Sequence, residues 1–264
     1  MKIKALFFDI DGTLISLDTH QVPLSTLQAL RKVKEKGIKI FVATGRHLSA
    51  IKGLNEIDFD GYITLNGAYC VDKEKHLLFK KSIPYEDIEG LVRLQKETHS
   101  FPCVFVEENQ MCINEVDERV LFLYGLLQIN SLPIRDLDYF REREVFQVTA
   151  FFYQEEEEEI MKSMPFSSGM RWHPSFTDII AAGVDKAMGI DQICAHYGFS
   201  KEETMVFGDG GNDISMIRHA GIGIAMGNAG DEVKQSADYV TDPIDEDGVE
   251  KALLHFGIIE PTVK

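Results

Sequence analysis

Cysteine is scarce in this sequence, and its spacing carries no signal for metal or redox chemistry. Only four cysteines occur among 264 residues, at positions 70, 103, 112 and 194. No two of them form the close CxxC pair that zinc clusters and redox-active dithiols use. We therefore expect buried free thiols in a reducing compartment, and we predict a cytoplasmic protein.

Long hydrophobic runs are also missing. The apolar run at residues 5–8 is interrupted by Asp9 and Asp11, well short of the length of a secretory signal. Another run, at residues 120–129, is too short to cross a bilayer and contains the polar Gln128. The sequence therefore gives no indication of a membrane span.

Positive charge is in deficit. Lysine and arginine number 27 against 43 aspartates and glutamates, which leaves a formal net charge of −16. A field of this sign repels nucleic-acid backbones and anionic membranes, so we predict neither as a partner. A small anionic molecule fits this background if its site supplies local positive charge from a cation, a lysine or helix N-termini.

What the sequence does contain is an alternation of short apolar segments with helix-forming segments. Residues 3–8, 38–42 and 62–65 are apolar runs without polar alternation, which is typical of strands buried on both faces of a parallel sheet. Between the first two runs, Ser25 and Gln28 form a capping pattern that predicts the start of a helix. This alternation indicates right-handed βαβ units.

A second pattern interrupts the first. After about residue 80 the predicted strands lie close together and outnumber helices, as in an antiparallel α+β domain. From Asp185 the alternation resumes, with a further strand predicted at residues 204–207. The fold class we predict is α/β: a Rossmann-like parallel-sheet core formed by residues 1–80 and 182–264, with an inserted α+β domain at residues 81–181.

The ends of the predicted strands are the expected ligand site, because ligands bind beyond the carboxyl ends of strands in open parallel sheets. The polar or loop-forming residues at these ends are Asp9, Asp11, Thr44, Gly45, Asn66, Asp209, Asn212 and Asp213. Asp9 directly follows a buried strand, where an uncompensated carboxylate is costly. If the strand before Asp209 is its neighbour, the two carboxylates can share one cation, and oxygen ligands favour Mg²⁺.

Each of these residues also has a purely structural interpretation. Asp-Gly-Thr is a common turn, Thr44 could cap the helix predicted after it, and Asn212 or Asp213 could cap a helix after a glycine-rich turn. Lys186 lies in the first turn of a predicted helix, where a cation opposes the helix dipole unless an anion is close. Solvation of Lys186 and binding of an anion are equally compatible with the sequence.

Taken together, the motifs resemble those of the haloacid dehalogenase-like phosphatases, and more narrowly the Cof-type sugar phosphatases with a large α+β cap domain. The matching residues are, in chain order, Asp9, Asp11, Gly12, Thr13 and Leu14; Ala43, Thr44, Gly45 and Arg46; Asn66, Gly67 and Ala68; Lys186; and Gly208, Asp209, Asn212 and Asp213. The resemblance covers the whole core, whereas residues 81–181 match the cap by position and predicted elements only. One departure is Ala187 after Lys186, where the family usually has glycine.

The resemblance implies a set of roles. Asp9 is the expected nucleophile, which forms an aspartyl-phosphate, and Asp11 is the expected general acid and base. The residues expected to hold Mg²⁺ are Asp9, Asp11 through its backbone carbonyl, Asp209 and, behind them, Asp213. The residues expected to bind the phosphoryl oxygens are Thr44, Gly45, Lys186 and Asn212. Arg46 and Asn66 are expected at the substrate entrance.

This chemistry requires one ionised and one protonated aspartate. We expect the metal to keep Asp9 ionised. We expect Asp11 to turn its side chain into a cluster of other carboxylates, whose like charges keep it protonated.

Hydrolysis of small phosphate monoesters, such as sugar phosphates or related metabolites, is the function we predict. A phosphomutase of the same superfamily would share the nucleophile and the metal. A signalling receiver domain also accepts phosphate on aspartate, but receivers are about half this length. A phosphate-binding module without catalytic activity is a further alternative, but phosphate binding alone assigns no role to Asp11. The sequence does not identify the physiological substrate.

Overall fold

The computed structural model describes residues 2–54, 56–98, 100–126 and 131–261, apart from the side chains of Leu126 and Trp172. The chain divides into two compact units. The first comprises Met1–Phe79 and Asp185–Lys264, and the second comprises Lys80–Val184.

The described residues form thirteen strands and eight α-helices. The strands are β1 (Ala5–Phe8), β2 (Lys39–Ala43), β3 (Gly61–Thr64), β4 (Tyr69–Asp72), β5 (Leu77–Lys80), β6 (Cys103–Val106), β7 (Met111–Ile113), β8 (Gln147–Ala150), β9 (Ser167–His173), β10 (Phe176–Ala181), β11 (Thr204–Gly208), β12 (Ile222–Ala225) and β13 (Tyr239–Val240). The helices are α1 (Leu24–Glu35), α2 (Tyr85–Glu97), α3 (Glu118–Leu126), α4 (Glu157–Met161), α5 (Lys186–Tyr197), α6 (Ile214–His219), α7 (Asp231–Ser236) and α8 (Gly248–His255).

The first unit is built on a sheet with the strand order β13-β12-β11-β1-β2-β3-β4-β5. The strands from β13 to β3 run parallel, and β4 runs antiparallel to β3. All four residues of β1 are buried, because this central strand is covered on both faces. β1 pairs with β2 on one side and with β11 on the other, so the carboxyl ends of all three strands lie at one edge.

Two layers of helices cover this sheet. Leu6 and Phe8 of β1 belong to a hydrophobic cluster that includes residues of α1 and α8. Phe7, which points to the opposite face, belongs to a cluster that includes residues of α5, α6 and α7. Aromatic rings stack across neighbouring strands, with Phe8 and Phe207 at a centroid distance of 4.8 Å. This packing makes the strand ends a rigid platform for the polar residues that follow them.

The second unit contains an antiparallel sheet with the strand order β7-β6-β8-β10-β9. Its hydrophobic core includes Ile88 and Leu91 of α2 and Phe105 of β6. The rings of Phe105 and Phe140 stack at 3.8 Å between centroids.

The predicted fold class is confirmed. The first unit is an α/β core whose sheet is parallel from β13 to β3, and the second unit is an α+β unit with an antiparallel sheet. The prediction of buried free thiols is also confirmed for all four cysteines. Among the described residues, no helix is both long and apolar enough to span a membrane.

Two local predictions are wrong. Ser25 does not cap α1, which begins at Leu24 after Pro23 and has no side-chain cap; the Ser25 hydroxyl instead donates to Asp247 at 2.6 Å. The N-cap is Pro23, whose fixed φ suits a helix start, so the helix begins two residues earlier than a cap at Ser25 would require. The helix predicted after Thr44 is also absent from the described residues 44–54, where only a 3₁₀ turn forms, at Leu48–Ala50.

Candidate active site

The loop after β1 brings two aspartates to the sheet edge. The backbone N–H of Asp9 donates to Phe207 of β11 at 3.0 Å, which extends the parallel ladder by one residue. The chain then turns at Gly12, whose φ of +83° is left-handed. A Cβ atom at Gly12 would lie 2.2 Å from Oδ2 of Asp209, so only glycine fits this turn. The early Asp-x-Asp-Gly motif is therefore packed directly against the late Asp209.

Three carboxylates and one lysine form the centre of the site. Asp9, Asp209 and Asp213 each offer a carboxylate oxygen, and these atoms lie within 4.8 Å of one another. Nζ of Lys186 donates to Oδ1 of Asp9 and to Oδ1 of Asp213, both at 2.6 Å. Lys186 is fully buried at the first position of α5. A positive charge in the first turn of a helix opposes the helix dipole, and the carboxylates of Asp9 and Asp213, rather than solvent, stabilise the charge of Lys186 there.

Asp213 also fixes the turn that carries Asp209. Its Oδ2 accepts hydrogen bonds from the backbone N–H groups of Asp209 and Gly210, each at 2.9 Å. The same carboxyl group therefore joins Lys186 to the loop after β11. Asp213 occupies the N-cap position of α6, but its side chain makes no cap hydrogen bond to that helix, so the capping interpretation is wrong: the carboxyl group binds the preceding turn and Lys186 instead.

The charges in this cluster do not balance. When ionised, three carboxylates and one ammonium leave a net charge of −2 in a largely buried site. Burial raises the pKa of Asp209 to about 7, with the neighbouring Asp213 adding to the effect. Burial also raises the pKa of Asp9 well above its usual range, against the opposing effect of Lys186. For Lys186, burial disfavours the charge, but Asp213 and Asp9 outweigh it and raise its pKa. Hard oxygen ligands with a charge of −2 suit a divalent cation.

The predicted phosphate-binding residues also meet at this edge. The side-chain Nδ2 of Asn212 donates to Oδ1 of Asn66 at 2.9 Å, across 146 residues of sequence. The backbone N–H of Asn66 donates to the carbonyl of Thr44 at 3.0 Å. A Cβ atom at Gly45 would lie 3.0 Å from the amide of Asn66. Thr44 caps no α-helix; its hydroxyl accepts the backbone N–H of Arg46 at 3.1 Å.

The loop that carries Asn66 has a strained backbone. Leu65 and Asn66 have φ values of 52° and 53°, and Gly67 follows at 102°. Left-handed conformations at non-glycine residues cost roughly 1–2 kcal/mol each, and such strain concentrates at functional sites. A Cβ atom at Gly67 would lie 2.0 Å from the carbonyl oxygen of Asp185. The loop is thus pressed against the start of α5, beside Lys186.

Asp11 differs from the prediction. Nε of Arg46 donates to Oδ2 of Asp11 at 2.8 Å, and a terminal nitrogen donates to Oδ1 at 2.5 Å. The other terminal nitrogen donates to the carbonyl of Ala50 at 3.3 Å. The prediction that the Asp11 side chain turns into a cluster of carboxylates is therefore wrong, because its partner is a guanidinium. Two parallel hydrogen bonds from Arg46 fix the orientation of the Asp11 carboxyl group.

Two residues near the site were missing from the predicted set. The hydroxyl of Thr13, which is fully buried, donates to Oδ1 of Asp209 at 2.9 Å. Asn228 donates through Nδ2 to the carbonyl of Gly12 at 2.9 Å and to Oδ2 of Asp209 at 3.3 Å. Asn228 follows β12, so the rule that selects residues beyond strand ends would have found it had it been applied to that strand.

The central lysine generates a testable prediction. Lys186→Met keeps the length of the side chain but leaves Asp9 and Asp213 buried without their cation. We expect the metal-free protein to lose about 3–5 kcal/mol in its free energy of unfolding. Urea denaturation in the presence of EDTA measures this change.

Lys251→Met is the matched control, since Lys251 pairs with Asp242 at the exposed surface. Its stability should change little. Equal losses in the two variants would contradict the importance assigned to the buried pair.

Comparison with known proteins agrees with this geometry. The haloacid dehalogenase-like hydrolase family matches residues 6–253. A solved structure of a subclass IIB sugar phosphatase, BT4131, is 48% identical, with a TM-score of 0.92, covering 97% of this chain and 100% of that chain. BT1666 from Bacteroides thetaiotaomicron, a phosphatase of the same superfamily, is 39% identical, with a TM-score of 0.91 and coverage of 98% and 96%.

A curated relative is also a phosphatase. The 5-amino-6-(5-phospho-D-ribitylamino)uracil phosphatase YcsE of Bacillus subtilis is 31% identical over 96% of this chain and 96% of its own. These matches confirm the resemblance found in the sequence motifs. The chain belongs to the haloacid dehalogenase-like hydrolase family.

Proposed function

We propose that this enzyme is a Mg²⁺-dependent phosphatase that hydrolyses small phosphate monoesters, such as sugar phosphates or related metabolites, through an aspartyl-phosphate. The observation that carries the proposal is the convergence of Asp9, Asp209 and Asp213 on one another and on Lys186. The similarity to a sugar phosphatase and to a phosphatase of a phosphorylated ribityl compound supports the substrate class.

The carboxylates of Asp9 and Asp209 and the backbone carbonyl of Asp11 would hold Mg²⁺ in this proposal, and Asp213 would support them through its contacts with Lys186 and the Asp209 turn. When bound, the ion would offset the charge on the phosphoryl oxygens during transfer. The residual charge of the cluster and the raised pKa of Asp209 support a divalent ion at this position.

Asp9 is the nucleophile in the proposed reaction. Lys186 binds its Oδ1 at 2.6 Å and thereby fixes the carboxylate at the strand end. A carboxylate oxygen of Asp9 forms a bond to phosphorus while the bond from phosphorus to the ester oxygen breaks. Asp11 protonates the departing alkoxide, then takes a proton from water, which attacks phosphorus and releases inorganic phosphate. Asp9 is regenerated.

The phosphoryl oxygens are proposed to contact donors from three loops. Lys186 supplies an ammonium, Thr44 a hydroxyl, Gly45 a backbone N–H and Asn212 a side-chain amide. Donors fixed before the reaction are effective because the transition state is loose and its charge lies on the peripheral oxygens. Asn66 orients the amide of Asn212 through the hydrogen bond between them.

Arg46 was predicted at the substrate entrance, and its guanidinium donates two hydrogen bonds to the carboxyl group of Asp11. Its bidentate contact with Asp11 leads us to propose that Arg46 positions the general acid and base. The second unit is proposed to be the cap that selects the substrate, with residues 81–181 as its predicted bounds. The cytoplasmic location also stays a prediction.

Replacing either aspartate tests the mechanism. Asp9→Asn should remove measurable phosphate release from p-nitrophenyl phosphate and from sugar phosphates, because an amide is not a competent nucleophile. Asp11→Asn should lower kcat on sugar phosphates by about 10²- to 10⁴-fold. Released phosphate and circular dichroism are measured for both variants. Asp191→Asn, at an exposed aspartate of the same unit, serves as the control. A folded Asp9→Asn variant with near wild-type turnover would refute the proposal.

Metal binding should depend on pH in a defined direction. The pKa of Asp209 is raised to about 7 in the absence of metal, so protons compete with Mg²⁺ below this pH. At a Mg²⁺ concentration 100 times its Kd, we expect a stabilisation of about 2.7 kcal/mol at pH 8, or a rise in Tm of about 5–10 °C. The rise should be much smaller at pH 5.5. Thermal denaturation with and without MgCl₂ measures both values, and equal shifts at the two pH values would contradict the assignment.

The role of Arg46 predicts a dependence on the leaving group. Arg46→Met removes both hydrogen bonds to Asp11, so protonation of a departing alkoxide should suffer. We expect kcat on an alkyl phosphate to fall by at least about 10-fold, a part of the roughly 10²- to 10⁴-fold contribution of general acid catalysis. Hydrolysis of p-nitrophenyl phosphate, whose leaving group needs little protonation, should fall much less. Equal losses on the two substrates would show that Arg46 does not act through Asp11.

A further inference from the structure

We propose that Asn228 is a positioning residue of the divalent-cation site, which orients the carboxylate of Asp209 for metal binding. This inference rests on the proposed function, because it assumes that Asp209 is a metal ligand. Asn228 itself is not proposed to touch the metal or the substrate.

The side-chain amide of Asn228 joins three separate segments. Nδ2 donates to the carbonyl of Gly12 at 2.9 Å and to Oδ2 of Asp209 at 3.3 Å. Oδ1 accepts the backbone N–H of Ile244 at 3.0 Å. A backbone N–H can only donate and a backbone carbonyl can only accept, so the orientation of the amide is determined by its partners. The amide therefore presents its N–H groups, and not its oxygen, to Asp209.

Both oxygens of Asp209 are held, each by a different residue. Thr13 donates to Oδ1 at 2.9 Å, and Asn228 donates to Oδ2. Together these two donors fix the plane of the carboxylate, while each oxygen retains a lone pair for a cation. Without them, repulsion from Asp213 and Asp11 favours rotation of an ionised Asp209 away from the cluster. Mg²⁺ requires near-octahedral geometry, so a freely rotating ligand binds it less well.

The turn that carries Asn228 is held by its backbone. The N–H of Met226 donates to the carbonyl of Gly208 at 3.0 Å, and the N–H of Gly227 donates to Asp242 at 3.1 Å. A Cβ atom at Gly227 would lie 2.4 Å from the backbone nitrogen of Pro243, so the two chain segments are in close contact. These contacts do not involve the Asn228 side chain. Truncation of that side chain therefore leaves these backbone contacts in place and removes its three hydrogen bonds, to Gly12, Ile244 and Asp209.

Asn228→Ala is the direct test, with Mg²⁺ itself as the probe. Isothermal titration of the metal-free protein with MgCl₂, without substrate, gives the Kd. Loss of a residue that orients a metal ligand typically weakens binding by about 10–100-fold, and we expect at least about 10-fold here. The Mg²⁺ concentration for half-maximal phosphate release should rise by the same factor. kcat and KM at saturating Mg²⁺ should stay close to wild type.

Gln110→Ala is the matched control. Gln110 also uses a side-chain amide for two hydrogen bonds, to Glu107 at 3.0 Å and to Tyr139 at 2.9 Å, but it lies in the second unit. Its Mg²⁺ affinity should equal that of the wild type. If Asn228→Ala lowers the Tm of the metal-free protein, Asn228→Ser provides the same comparison with a polar side chain that is too short to reach Asp209.

The outcomes separate this inference from the proposed function. An unchanged Kd in a folded Asn228 variant overturns the positioning role. A loss of kcat at saturating Mg²⁺ with an unchanged Kd overturns it too, because that result places Asn228 in substrate binding or catalysis. If Asp209→Asn abolishes Mg²⁺ binding while Asn228→Ala does not weaken it, only the positioning role fails. If the wild type itself does not bind Mg²⁺, the proposed metal site fails.

Discussion

The buried contact of Lys186 with Asp9 and Asp213 is the interaction on which the site depends. One ammonium group is shared by two carboxylates from separate loops, each at 2.6 Å, in a position closed to solvent. Such a contact is favourable only when every charge has a partner, because desolvation of the ions is costly. The single lysine leaves an excess of negative charge beside Asp209, and the proposed Mg²⁺ site rests on this excess.

The parallel sheet makes this arrangement achievable. Its buried strands end at one edge, so residues 9 and 209 become neighbours across two adjacent strands. Close contact then restricts the sequence around them. Gly12 is required where the first loop touches Asp209, and a Cβ atom at Gly208 would lie 2.5 Å from Cβ of Asp213. Gly12 and Gly208 are therefore explained by the proximity of the carboxylates rather than by flexibility of the loops.

Much of the fold and of the site could be predicted, because short stretches of the sequence carry the patterns of buried strands and of the polar residues at their ends. The apolar runs of β1, β2 and β11 predict buried strands, and the polar residues that follow these strands predict the position of the site. The hairpin strands β4 and β5, and β9 and β10, were not predicted. β5 is only partly buried, and its pattern is therefore weak. Ser25 was misassigned as a cap because the preceding proline set the helix start.

The sequence by itself determined the α/β architecture, the family and the set of residues at the strand ends. The reason is that hydrophobic periodicity reflects burial, and short motifs reflect the backbone turns that follow the strands. Only the tertiary structure decided which side chains pair with which. Arg46 binds Asp11, and Asn228 binds Asp209, contacts that no pattern in the chain indicates. The physical reason is that hydrogen-bond partners are chosen by side-chain orientation and by the approach of segments that lie far apart along the chain.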